Sequence, residues 1–177
     1  MAKILVDADS LPLRQREILI RRIIKDNICA VFAADRRIKD IDIAIEKHTH
    51  ALRTEARKNI CDESQIRKIR STMRFIHVAV GEGSADDVLV SLAESEDIAI
   101  THDIPLASRL IEKGVLVLDD RGGVYDKSNI KERLSLRNAM MEMREWGIQA
   151  EKAKGFDSKT VENFANALDK ALLCFSK

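Results

Sequence analysis

Short apolar runs recur along the chain at Ile4-Val6, Ile28-Ala34, Phe75-Val80, Ile98-Thr101 and Val115-Leu118. Each is rich in β-branched residues and apolar at successive positions, the mark of strands covered by helices on both faces. Amphipathic stretches lie between most of them: Pro12 to Lys25, Asp86 to Glu94, and Pro105 to Lys113. Gly114 is placed to cap the last of these. This alternation predicts an α/β fold with a mostly parallel sheet of about five strands, built from right-handed βαβ units.

Two regions depart from the alternation. Residues 35 to 74 contain no glycine or proline and read as one or two helices, with Ile38, Ile41, Ile45, Leu52 and Ala56 near helical spacing. From Arg36 to Arg74 there are eleven Lys or Arg against six Asp or Glu, a local excess of +5. Beyond Leu118, Asp119-Asp120-Arg121-Gly122-Gly123 reads as a turn, and the rest as helical. Helices are expected from about Asn129 to Trp146 and Ser158 to Leu173, with a glycine break near Gly155. Their apolar stripes (Ile130, Leu134, Met140, Met143; Phe164, Leu168, Leu172) are expected to pack on the α/β body, with Trp146 and the Met140-Met141-Met143 stripe among the packing residues. The organisation expected is a single domain over residues 1–177, with a basic helical insertion at about 36–74 and a C-terminal helical extension at about 126–177.

Composition adds mainly exclusions. At 177 residues, 45% apolar and 33% charged, the chain is an ordinary globular protein with room for a real core. Net charge is +1, so attraction for phosphates must come from local patches. Cys29, Cys61 and Cys174 are far apart and form no Cys-x-x-Cys pair, which argues against a zinc ribbon or dithiol site. No apolar run approaches the ~20 residues that span a bilayer. The start, Lys3-Ile4-Leu5-Val6-Asp7, is too short for a signal peptide. A cytoplasmic protein is expected.

Candidate chemistry sits where strands end. Asp7 and Asp9 follow the first run, Asp86 and Asp87 open the helix after the third, and Asp103 follows the fourth in Thr101-His102-Asp103. Ligands of open parallel sheets bind outside the carboxyl ends of the strands, where strand order reverses. If the first and fourth strands are neighbours, three acidic segments meet there. Carboxylates ~4 Å apart repel by ~1 kcal/mol in water and ~4 kcal/mol at an effective dielectric of 20, so such a group must share protons, splay or hold cations. All-oxygen ligands suit Mg²⁺ or Mn²⁺. Each residue also has a plainer role available. Asp86 and Asp87 follow Ser84 as helix-start acids, Asp9 precedes Pro12, and Asp103 precedes Pro105. Asp7, an acid closing an apolar strand, has the least structural reason to be there.

These motifs together resemble a known family. Val6-Asp7-Ala8-Asp9, Gly81-x-Gly83-Ser84-Ala85-Asp86-Asp87, Thr101-His102-Asp103-Ile104-Pro105-Leu106-Ala107, Lys113-Gly114, Arg121-Gly122 and Asn129-Ile130 resemble the bacterial YaiI/YqxD family, which is grouped with PIN-like domains. The resemblance implies a Rossmann-like three-layer α/β/α sandwich. It also implies a Mg²⁺- or Mn²⁺-dependent ribonuclease-like site carried by Asp7, Asp86, Asp87 and Asp103, with Asp9 beside it. The cysteine and proline that usually follow the first aspartate pair are replaced here by Ser10-Leu11-Pro12, so no cysteine role carries over.

The leading expectation is a metal-dependent phosphodiesterase acting on RNA. Asp7, Asp86, Asp87 and Asp103 would ligate metal, Asp9 would position metal or water, and Arg121 and Thr101 would contact phosphate. His102 flanks the site. One alternative is a haloacid-dehalogenase-like phosphatase, with Asp7 as nucleophile, Asp9 as acid/base, and Thr101, Lys113 and Asp119 or Asp120 in support. Another is a non-catalytic module that binds metal in the acidic pocket and RNA or a protein on its basic helices.

Overall fold

A computed structural model describes residues 2–60, 62–78, 84–147 and 157–175. Its strands are β1 (Ile4–Asp7), β2 (Ala30–Ala34), β3 (Met73–His77), β4 (Ile98–Ile100), β5 (Leu116–Leu118) and β6 (Val124–Tyr125). Its helices are α1 (Leu13–Asp26), α2 (Lys39–Ala56), α3 (Glu63–Lys68), α4 (Ala85–Leu92), α5 (Ile104–Glu112), α6 (Ile130–Glu145) and α7 (Ser158–Phe175). The strands form one sheet in the order β3-β2-β1-β4-β5-β6. All pairings are parallel except β5 with β6.

Alternation along the strands distributes the core between two faces. Ile4, Val6, Ala30, Phe32, Ala34, Ile98 and Ile100 point to one side, where α1, α2 and α7 cover them through Leu19, Ile23, Ile41, Phe164 and Leu168. Leu5, Val31, Ala33, Ala99 and Val117 point to the other, where α4, α5 and α6 cover them through Leu89, Leu106, Leu110 and Ile130. The result is a three-layer α/β/α sandwich. Strands buried on both faces cannot show a polar/apolar alternation, which is why they read as continuous apolar runs. Phe164 and Leu168 are fully buried, and each such side chain contributes ~1.5–3 kcal/mol by leaving water. Gly114 takes φ +83° just past α5, as its expected capping role requires.

Several details sharpen the expectations. The sheet has six strands, because β6 pairs antiparallel to β5 through Val117↔Tyr125 and Leu118↔Val124. The turn that makes this possible depends on Gly122, at φ +86°, where a Cβ would lie 2.5 Å from the Asn163 carbonyl group. The segment from 35 to 74 is two helices followed by the start of β3. Part of its basic charge is paired: Arg36 meets Asp9, Arg37 meets Asp42, Arg57 meets Glu63 and Lys58 meets Glu55. Arg53 is turned onto the carbonyls of Arg67 and Ile69.

Among the described residues, the C-terminal end of α6 lacks the expected packing. Ile130 is buried, but Leu136, Met140, Met141, Met143 and Trp146 are exposed, Trp146 at 76%. The glycine break near Gly155, the Gly81-x-Gly83 turn and the end of the run at Val80 lie outside the described residues. Among the described residues, no helix is long and apolar enough to cross a membrane.

Candidate active site

The chain runs from β1 outward through β2 to β3, then crosses back to β4 on the other side of β1. Strand order therefore reverses between β1 and β4, and the loops that leave their carboxyl ends part to open a crevice. Val6 pairs with Ile100 there, so Asp7 and Thr101 emerge side by side. The adjacency that the aspartate reading required is present.

Asp7 is buried at 7% exposure. Its Oδ2 accepts from the Thr101 hydroxyl at 2.7 Å, and that same hydroxyl oxygen accepts from the Asp103 backbone N–H at 2.9 Å. Ser10 ties the two loops together. Its hydroxyl donates to the Asp7 carbonyl at 3.2 Å and accepts from the His102 N–H at 3.2 Å. Burial raises the proton affinity of Asp7, while the hydrogen bonds from Thr101 and Ser10 pull it back and the charge of Asp9 adds to the rise.

Asp86, on the first turn of α4, is pushed up to about 6. Burial is the largest cause, followed by the charges of Asp7 and Asp103, with Arg109 opposing and Asp35 adding. These causes place Asp7, Asp103 and Asp35 within electrostatic reach of Asp86. Among the described residues no cation forms an ion pair with Asp7, Asp86 or Asp103.

The other expected residues separate from this group. Asp87 is exposed and bonds Arg109 at 2.7 Å, while its N–H donates to Ser84 Oγ. It belongs to the helix start and to the α4–α5 contact, which hold its carboxyl below the ordinary range. Asp9 accepts from the Asp35 N–H and from Arg36, both at 2.7 Å, and so pins the loop after β1 to the loop after β2. Thr101 is 1% exposed and both roles of its hydroxyl are taken, so it positions Asp7 and does not face a phosphate. Asp103 caps α5 by accepting from the Leu106 N–H at 2.8 Å, which leaves Oδ2 for other partners. Arg121 lies close enough for its charge to act on His102. Lys113, the C-cap of α5, donates to the Val90 and Ala93 carbonyls at the C-terminal end of α4. That is the opposite edge of the sheet from Asp7, so it cannot serve as the phosphatase lysine.

Asp35 has no part in the expected site, and Asp120 enters it only through the phosphatase alternative. Asp35 closes β2 as Asp7 closes β1, and its carboxylate accepts from the Ala85 N–H at 3.0 Å, fixing where α4 begins. An acid directly after an apolar strand was the available signal. Asp120, 4% exposed, stands 3.0 Å from His102 Nδ1. That contact raises the proton affinity of His102 against the effect of burial, with the charges of Asp120 and Asp119 adding to it. Gln15, buried on α1, donates to the Asp120 carbonyl at 3.1 Å. Asp119 instead closes its own turn, accepting from the N–H groups of Arg121 and Gly123.

The donor set fits a hard cation: all oxygen, two carboxylates of raised proton affinity, and no thiol. Among the described residues, no three acidic, histidine or cysteine side chains are already arranged around a common point. Side-chain movement would be needed for Asp7, Asp86 and Asp103 to share an ion.

Fold and crevice together define a doubly wound α/β protein with an acidic site at its switch point. The chain belongs to the YaiI/YqxD family, described as uncharacterised, whose profile matches residues 47–173. A UPF0178 protein of Desulfotalea psychrophila is 36% identical over 96% of this chain and 97% of its own length. A UPF0178 protein of Myxococcus xanthus is 34% identical over 96% of this chain and 94% of its own. One from Syntrophobacter fumaroxidans is 35% identical over the same shares. No solved structure gives a significant match.

Proposed function

We propose that the chain is a Mg²⁺- or Mn²⁺-dependent nuclease of PIN-like type that acts on RNA. The observation that carries the reading is the gathering of Asp7, Asp86 and Asp103 from three separate segments at the switch point, with Asp86 raised to about 6 by burial and by the other two charges. Like charges brought together are costly unless they share protons or hold a cation, and the opposing charge of Arg109 only partly offsets the rise at Asp86.

Asp7, Asp86 and Asp103 are the residues that would hold the ion. It would supply Lewis-acid stabilisation of the charge developing on a scissile phosphate. The remaining roles fall to the protein's own groups. Thr101 and Ser10 fix the Asp7 carboxylate and keep the β1 and β4 loops in register. Asp9 and Asp35 fix the approach of α4. His102, held at Nδ1 by Asp120, is the proton donor available to a leaving oxygen.

Calorimetric titration with Mn²⁺ and Mg²⁺ tests the site. Wild type should bind, and Asp7→Asn, Asp86→Asn and Asp103→Asn should each bind at least tenfold more weakly. Asp87→Asn should bind as wild type does. Cleavage of single-stranded RNA should follow the same order. Absence of binding by wild type, or equal binding by all four variants, removes the metal site and the nuclease with it.

A further inference from the structure

We infer that an arginine row on α6 is the track along which a single-stranded RNA backbone reaches the acidic crevice. The inference rests on the nuclease reading for the identity of the polyanion, and on separate observations for the surface. A groove of about 240 Å³ runs between the start of α5 and α6, lined by Ile104, Arg133, Leu136, Arg137, Met140 and Arg144. Ile104 directly follows Asp103, so the groove opens beside the candidate site.

Helix geometry aligns the charge. At 100° per residue the three arginines fall within about 40° of one another, and 11 residues at 1.5 Å each spread them over about 16 Å. The acids of the same helix, Glu132, Glu142 and Glu145, lie about 80° or more around it from any of them. Among the described residues, neither Arg137 nor Arg144 makes an ion pair. Arg133 lies over the Tyr125 ring, 5.2 Å from its centre. Tyr125 in turn feels the charges of Asp119, Asp120 and Asp103, so Arg133 stands over a ring within reach of the acids at that edge of the sheet.

Like charges one turn apart destabilise a helix by ~0.2–0.5 kcal/mol per pair. A row of them that faces no carboxylate among the described residues is complementary to a row of phosphates. Met140 and Leu136 between the arginines offer apolar surface to sugars and bases, and guanidinium planes stack on bases. A groove of about 240 Å³ is too small to seat a duplex, which leaves a single strand as the occupant. An amphipathic membrane helix is a poorer account. The exposed apolar residues Leu136, Met140, Met141, Met143 and Trp146 are spread over about 220° of the helix and form no single insertion face.

The test is fluorescence anisotropy of a short labelled oligouridylate with the full chain in EDTA, where cleavage cannot intervene, across a salt series. Wild type should bind. The doubly charge-reversed Arg137→Glu/Arg144→Glu should lose at least tenfold in affinity. Its slope of log affinity against log salt should shrink by ~0.7 for each phosphate that is no longer neutralised. Lys127→Glu/Lys131→Glu carries the same change of net charge on another face and should bind as wild type does. Arg137→Lys/Arg144→Lys should keep part of the affinity.

Equal losses in the two charge-reversed proteins would overturn the row, as would tighter binding of polyglutamate or of anionic phosphatidylserine vesicles than of RNA. The two proposals separate cleanly. RNA binding through the row without Mn²⁺-dependent cleavage leaves the track standing and sinks the nuclease. Cleavage at wild-type rate by Arg137→Glu/Arg144→Glu does the reverse.

Discussion

Two aspartates are buried at opposite edges of the same sheet, and their surroundings differ in kind. Asp97, 1% exposed just before β4, accepts from the Lys3 and Glu94 N–H groups and pairs with the Lys3 ammonium, each at 2.9 Å. Burial pulls the proton affinity of Lys3 down, but the hydrogen bond and charge of Asp97 outweigh it. The amino edge of the sheet is thus closed: charge, countercharge and backbone donors all belong to the chain. Asp7 at the carboxyl edge has two hydroxyl-bearing neighbours and further carboxylates, and its proton affinity rises. One aspartate is a structural rivet. The other is held in place by groups that orient it without neutralising it, an arrangement suited to a partner from outside.

The largest effect should come from breaking the closed edge. Asp97→Ala leaves the Lys3 ammonium and two N–H groups without their acceptor, and removal of one member of a buried pair costs ~3–5 kcal/mol. Urea denaturation at neutral pH should show this loss, whereas Asp7→Asn should leave stability in EDTA close to wild type. Equal losses would mean that Asp7 is as structural as Asp97. Next comes Thr101→Val, which deprives Asp7 Oδ2 of its donor and the Asp103 N–H of its acceptor. A cost of ~1–3 kcal/mol for the groups left unpaired is expected, with weakened Mn²⁺ binding although no ligand has been removed.

Asp86→Asn should change stability in the opposite direction. A carboxyl raised from 3.8 to about 6 on folding favours the folded state fully below pH 3.8 and loses that contribution as pH climbs to about 6. At ~1.36 kcal/mol per pH unit the whole span is ~3 kcal/mol, and partial exposure reduces it to about 1–2 kcal/mol. Metal-free Asp86→Asn should therefore be more stable than wild type at pH 7, with the advantage fading by pH 4. Denaturation curves at several pH values in EDTA measure it. A flat difference would show that Asp86 is not crowded by Asp7 and Asp103.

How far these regions could be read from the sequence follows from what each depends on. The strands were legible because burial on both faces writes itself as unbroken apolar runs, as in Ala30–Ala34. β6 was not, since two residues, one of them exposed, carry no such run. The candidate site was legible as a set of strand-end acids, but the meeting of their segments depends on β1 lying beside β4, a matter of chain crossing that no local pattern encodes. Thr101 was misassigned because a hydroxyl beside an acid looks alike whether it faces solvent or seals a loop. The exposed Met140, Met143 and Trp146 were misassigned for a related reason. Helical spacing says that residues share a stripe, not that anything covers it.

The sharpest division lies between neighbours. Asp86 and Asp87 are indistinguishable in the sequence, two acids in a first turn, yet successive residues of a helix point ~100° apart. Asp87 faces Arg109 and Ser84, which depress its carboxyl. A depressed group lends stability above its unfolded value and loses it as pH falls through the folded one. Asp87→Asn should therefore cost a little at neutral pH, and the cost should vanish in acid, where Asp86→Asn also converges on wild type. The effect is the smallest of the series because the pair is exposed and screened by solvent. At neutral pH the two variants should move stability in opposite directions, and only Asp86→Asn should weaken Mn²⁺ binding. If Asp87→Asn weakens the metal as much, the side chain has left Arg109 in solution and both acids belong to the site.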